Sequence, residues 1–185
     1  MMATILIAAF IVVFTGYAIG IYNNLVRKRQ LLFEAASGID VQLKRRWELI
    51  PKIVDTVKGY AGHEKGLLEK VTTMRAQMVS SVPLSKRSQS ETELSTTLKS
   101  IFALAEAYPE LKANQNFLQL QQTLSDIEDQ IQMARRYYNA TVRDYNILCQ
   151  QFPSVLVANI LGFKPEKFFE LEYATERQTP EIKFE

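Results

Sequence analysis

The chain contains one histidine, His63, and one cysteine, Cys149, which removes most residue combinations on which side-chain catalysis depends. His63 is followed by Glu64, as in the helical zinc-hydrolase motif, but Lys65, Gly66 and Leu67 come next and the motif's second histidine is missing. A catalytic zinc held by three protein ligands therefore has no sequence basis, and His63 reads as an exposed histidine beside a polar break at Glu64. No Ser-His-Asp relay can be argued from a single imidazole. The residue three before His63 is Tyr60 rather than the glutamate that di-iron bundles place there. A glycine loop to cradle phosphate is also missing. Cys149 has no partner for an internal disulfide and lies among apolar helix positions, so it reads as a buried structural thiol. These residues predict a protein that is not an enzyme, with no cofactor, no metal and no small-molecule substrate.

The elements that would position any site explain more. Residues 1–26 contain no Asp, Glu, Lys or Arg, so all 42 charged residues (22 basic, 20 acidic) fall in the other 159. Residues 3–22 are Ala, Ile, Leu, Val, Phe, Gly, Thr and Tyr; at about 1.5 Å per residue they span a hydrocarbon layer of about 30 Å. A cleaved secretory signal fits poorly, because it needs a basic start, an apolar run of roughly 7–15 residues and a small-residue cleavage site. We expect residues 1–26 to be a single-pass transmembrane anchor. Arg27, Lys28 and Arg29, with Lys44, Arg45 and Arg46 beyond, lie on one side of the span only, which predicts an N-terminus outside and a cytoplasmic helical domain. Gly16 and Gly20 form a small-xxx-small pair within the span and are candidates for transmembrane self-association.

Beyond the anchor the signal is helical. Phe117, Leu120, Leu124, Ile127, Ile131, Ala134, Tyr138, Thr141, Tyr145 and Leu148 alternate spacings of three and four, the seam of a coiled-coil-like helix about 47 Å long. Two partner faces follow the same rule: Trp47, Ile50, Val54, Val57, Ala61, Glu64, Leu68 and Val71, and Leu94, Leu98, Ile101, Ala105 and Tyr108. Leu32, Ala36, Ile39 and Leu43 carry a similar pattern that meets Trp47 by an extra four-residue step, which predicts a stutter. Pro51 predicts a kink or a helix restart. Residues 80–88 read as the connection that reverses the chain, Pro109 as a second break and Pro153 as the end of the long helix. Residues 154–161 read as a short apolar helix closed by Gly162. The expected fold is all-α: a transmembrane helix followed by an elongated antiparallel helical bundle of three to four helices over residues 27–162. The aromatic tail, residues 163–185, would dock on the bundle or on a neighbouring copy.

Three groups stand out as contact candidates. Gly59, Gly62 and Gly66 fall on one helical face, although glycine costs helix propensity; they offer either a flat strip for close helix packing and assembly or a frayed segment. Lys44, Arg45 and Arg46 form a basic patch, either a solvated face or a contact for lipid headgroups or an acidic partner. Phe168 and Phe169 lead an aromatic tail that calls for a surface to cover it. A net charge of +2, dispersed along the chain, argues against nucleic acid as a partner.

Several stretches together carry a family resemblance: Ile39-Asp40-Val41-Gln42-Leu43-Lys44-Arg45-Arg46, Leu49-Ile50-Pro51, the run from Thr56 to Ala61, Ala134-Arg135-Arg136-Tyr137-Tyr138-Asn139, and Phe152-Pro153-Ser154. In that order and separation they resemble the LemA family of bacterial membrane proteins, with departures at Trp47, Lys52 and Val155. The resemblance implies an N-terminal membrane anchor, a helical bundle, and no established enzymatic activity or cofactor. It favours a self-associating scaffold or partner platform, with the membrane and further copies of the chain as partners. The alternative is an accessory subunit that binds a membrane protease or transporter.

Overall fold

The computed structural model describes residues 1–61, 63–78 and 84–169, with side chains described for all of these except 77–78 and 84–89. Gly62 and the tail from residue 170 lie outside the described residues. Among the described residues six helices follow in order: α1 (Met2–Lys58), α2 (Lys65–Met78), α3 (Leu84–Ala105), α4 (Pro109–Lys112), α5 (Gln115–Gln150) and α6 (Ser154–Ile160). Among the described residues there is no strand, and the chain is all-α. The contacts divide it into two units, one built on Met1–Asp40 with Met133–Phe168, the other on Val41–Gln132.

The second unit has one hydrophobic core, to which α1, α2, α3, α4 and α5 all contribute: Ile50, Ile53 and Val57, Leu68 and Val71, Leu94, Leu98 and Ile101, Leu111, Phe117 and Leu124. Their spacings of three and four place each set on one face of its helix, where burial is worth about 1.5–3 kcal/mol per large aliphatic side chain. Pairs across the helices tie these neighbours together. The Arg75 guanidinium reaches Trp47 from α2 to α1, the Thr97 hydroxyl approaches Met74 from α3 to α2, and Phe102 of α3 lies 5.5 Å from Phe117 of α5.

The stutter expected at residues 43–47 is absent, and the reason is a buried charge. Leu32, Ala36, Ile39, Leu43, Arg46, Ile50, Ile53 and Val57 keep an unbroken alternation of four and three, and Arg46 is 0% exposed. Trp47 and Val54, which the apolar pattern selects, are only partly buried at the edge of the core.

Pro51 produces no restart: α1 runs through it to Lys58. Proline cannot donate to the carbonyl four residues back, so the Trp47 carbonyl loses its helical partner. Arg75 of α2 takes that place, its Nε–H donating to the Trp47 carbonyl oxygen at 3.1 Å.

The single helix expected through Ala61 and Glu64 is broken instead. α1 stops before Gly59, the amides of Tyr60 and Ala61 both donate to the Val57 carbonyl, and α2 opens at Lys65. Glycine's propensity cost at Gly59 is relieved by ending the helix there, while Ala61 and Leu68 still reach the core. Of the connection expected at 80–88, residues 84–88 belong to α3, and residues 80–83 lie outside the described residues. Pro109 opens α4, where its fixed φ suits the first turn. Asn114 then caps α5, its Oδ1 accepting the Phe117 amide at 3.1 Å.

In the first unit, Leu25, Leu32, Ala35 and Ile39 of α1 are buried, as are Tyr138, Val142, Tyr145 and Cys149 of α5. The segment after α6 is held to α5 by a two-point clamp. The Asn146 Nδ2 donates to the Glu166 carbonyl at 2.9 Å, and the Glu166 amide donates back to Asn146 Oδ1 at 2.8 Å. The Tyr138 hydroxyl donates to the Lys167 carbonyl at 3.2 Å.

Candidate functional site

The most concentrated chemistry in the second unit is a buried charge cluster joining α1, α3 and α5. Arg46 pairs with Glu91, both side chains fully buried, and its Nη1 donates to Glu128 Oε1 at 2.8 Å. Nη1 also donates to the Ser95 Oγ at 2.7 Å, and the Ser95 hydroxyl donates to Glu128 Oε1 at 3.2 Å. Glu91 stands three residues before Leu94, so it extends the α3 seam by one step just as Arg46 fills the α1 seam. Two opposite charges thus occupy core positions where apolar residues would ordinarily stand. A lone buried ion is far costlier than a pair, so this arrangement penalises any helix register that separates the two. Such an arrangement favours the helix pairing that keeps the two charges together.

The basic triplet is therefore divided. Lys44 and Arg45 are exposed, with Lys44 4.0 Å from Glu48, whereas Arg46 is withdrawn from any surface contact with lipid or partner. Phe168 is exposed and Phe169 buried. Gly59 sits in the turn after α1 and Gly66 in the first turn of α2, so the two share no helical face. A methyl group added at Gly66 would meet nothing within 4 Å, and at Gly59 only the Thr56 carbonyl at 3.6 Å. A methyl group added at Gly16 or Gly20 would likewise meet nothing within 4 Å. His63 is exposed, and no group of three or more His, Cys, Asp or Glu comes together among the described residues.

The first unit carries the membrane-like surface. One helix among the described residues, α1, is long and apolar enough to cross a membrane, and none of its most apolar stretch is buried. Against residues 15–22 of this helix lies α6. Thr15, Ala18, Ile19 and Tyr22 face Val157, Ile160 and Leu161 across a groove of about 480 Å³. Just past the apolar run, Lys28 bridges to Asp144 of α5 at 3.2 Å. The hydrogen bonds from Lys28 and then Arg143 hold the Asp144 carboxyl below the usual range.

Behind that surface the Tyr145 hydroxyl is buried beside Cys149. Burial, then its hydrogen bond with Cys149, pushes its pKa from 10.0 up to about 12, and burial raises the Cys149 thiol as well. A raised tyrosine pKa means the folded chain favours the neutral phenol. The resulting stability is complete below pH 10 and is lost as pH rises towards about 12. An alkaline titration of the full chain in detergent, followed by tyrosinate absorbance and circular dichroism, should show a late-ionising tyrosine whose step coincides with loss of helix. Tyr145→Phe should remove that late step.

Comparison with known proteins places these features in a family. The LemA family model matches residues 35–184. Protein LemA of Metamycoplasma hominis is 31% identical over 157 residues, covering 78% of this chain and 67% of that protein. Magnetosome protein MamQ of Magnetospirillum gryphiswaldense is 30% identical over 69 residues, 37% of this chain and 25% of that protein. Magnetosome protein MamQ 2 of Paramagnetospirillum magneticum is 31% identical over 70 residues, 38% of this chain and 26% of that protein. The chain thus spans about a quarter of the length of the two magnetosome proteins.

Proposed function

Because this chain belongs to the LemA family, we propose that it is a membrane-anchored, non-enzymatic helical protein that associates with copies of itself and serves as a scaffold or partner platform. The observation that carries this reading is the apolar stretch of α1: it has the length of a membrane span, none of it is buried within one copy, and Gly16 and Gly20 lie open upon it. Small residues four apart let two such helices approach until their backbones touch. The charged residues further along support a structural role, since Arg46 and Glu91 are consumed in pairing helices. The LemA family is not a known enzyme family, which is consistent with the same reading. The basic residues 27–29 and 44–46 that follow the apolar stretch argue for a cytoplasmic helical domain.

Native mass spectrometry or mass photometry of the full chain in lipid nanodiscs tests self-association. Dimers or larger assemblies are expected. Gly16→Ile with Gly20→Ile should weaken them tenfold or more, a change of about 1.4 kcal/mol or above. A monodisperse monomer for the unaltered protein at micromolar concentration would remove the proposal.

A further inference from the structure

We propose that α6 is a second membrane contact: the stripe formed by Phe152, Leu156 and Ile160 beds into the hydrocarbon–headgroup boundary of the bilayer, beside the spanning part of α1 and on the side of Arg27, Lys28 and Arg29. The inference rests on the anchor reading and extends it from one membrane element to two.

Three observations carry it. Leu156 and Ile160 of α6 are apolar, four residues apart and 54% and 82% exposed, and Phe152, in the turn just before the helix, is 80% exposed. Water is a poor neighbour for such a face on so short a helix. Next, its direction is fixed from behind. Ser154 and Ala158 are buried, and the Ser154 hydroxyl lies 2.6 Å from the Leu148 carbonyl and 3.0 Å from that of Gln151, so α6 is locked to the end of α5 with the stripe turned outward.

Finally, its depth is set by its neighbour. The groove partners of α6 are Thr15, Ala18, Ile19 and Tyr22, the last two turns of the apolar run, so whatever layer surrounds those residues also reaches Val157, Ile160 and Leu161. From Thr15 to Tyr22 is about 10 Å along the axis, roughly a third of the hydrocarbon thickness. Both segments then leave that level in the same way. Tyr22 and Phe163 meet edge to face at 6.0 Å; after Tyr22 come Arg27, Lys28 and Arg29, and after Phe163 come the exposed Lys164 and Lys167. Aromatic rings followed by basic side chains are the order expected on crossing from hydrocarbon into an anionic headgroup layer. Gly162, at φ +74°, makes the reversal between α6 and Phe163 possible, and the Phe163 amide closes it on the Ala158 carbonyl at 2.9 Å.

The test uses the full chain with Cys149→Ala and one new cysteine, Ile160→Cys, Val12→Cys or Met133→Cys, each carrying an environment-sensitive fluorophore. The variants are checked for unchanged circular dichroism and placed in nanodiscs of phosphatidylcholine and phosphatidylglycerol. Quenchers on lipid acyl chains and aqueous iodide then report depth. The expected result is several-fold stronger lipid quenching at position 160 than at 133, with 160 favouring the shallow quencher and 12 the deep one. Iodide access at 160 with lipid quenching at 12 would overturn the α6 contact and leave the anchor standing. Iodide access at 12 would overturn the anchor and this inference with it. Protection at 160 from both quenchers would mean that protein, such as a second copy, covers the stripe, and would also overturn it.

Discussion

Replacing Arg46 by alanine is expected to destabilise the full chain by about 3–5 kcal/mol, because it strands the fully buried Glu91 carboxylate in the core of the second unit. Ser95 and Glu128 lose the same guanidinium, but Glu128 keeps some access to water and can be solvated. The charge, more than the lost contact, sets the size of the effect. Adding Glu91→Gln to Arg46→Ala should therefore recover part of the stability, and the apolar pair Arg46→Met with Glu91→Leu should recover most of it. Urea titration in mild detergent, read by Trp47 fluorescence, checks all three. If Arg46→Ala and the apolar pair fall by equal amounts, shape would explain the loss and the buried-charge account would be wrong. The apolar pair also separates stability from register: with no ion pair to penalise a slipped α1–α3 pairing, exchange broadening in amide spectra of the core residues should rise while stability holds.

The same two residues show how far the fold could be read beforehand. The seam of α5 is legible in full, since each of its ten positions is buried or half-buried. The seam of α1 is legible only up to Leu43, because a search for apolar residues steps over Arg46 to Trp47 and must then invoke a stutter. Following the alternation of three and four through the charge, to Arg46 and Ile50, would have kept the helix in phase and flagged Arg46 as buried. Glu91 carries the same signal at the head of the α3 seam. A charged residue in a core position is read correctly only when its partner is known, and the partner lies in another helix.

The short helix α6 is a different case. Its existence follows from the apolar run between Pro153 and Gly162, but the run does not say which face is turned outward. That depends on Ser154 finding the Leu148 and Gln151 carbonyls at the end of α5, and on the groove against Ala18 and Tyr22. The glycines mislead for the opposite reason. Their spacing describes one helix face only if the helix continues, and Gly59 lies just beyond the residue where α1 ends.

Arg75→Ala is expected to cost about 1–3 kcal/mol, of which about 1 kcal/mol comes from a proline it does not touch. Pro51 deprives the Trp47 carbonyl of its helical donor, and the Arg75 Nε–H fills the vacancy at 3.1 Å. Pro51→Ala should stabilise α1, since it restores an amide donor and removes the ring's clash with the preceding turn. In that background the Trp47 carbonyl has a partner within its own helix, so Arg75→Ala should cost about 1 kcal/mol less than it does in the unaltered chain. The double-mutant cycle, measured by thermal unfolding in detergent, isolates this coupling from the general loss of a long side chain. Equal costs for Arg75→Ala in both backgrounds would show that the guanidinium merely rests near the carbonyl. A coupling of the expected size would mean that a helix interrupted in its hydrogen bonding by proline is completed by its neighbour, so that α1 passes Pro51 unbroken only while α2 is docked against it.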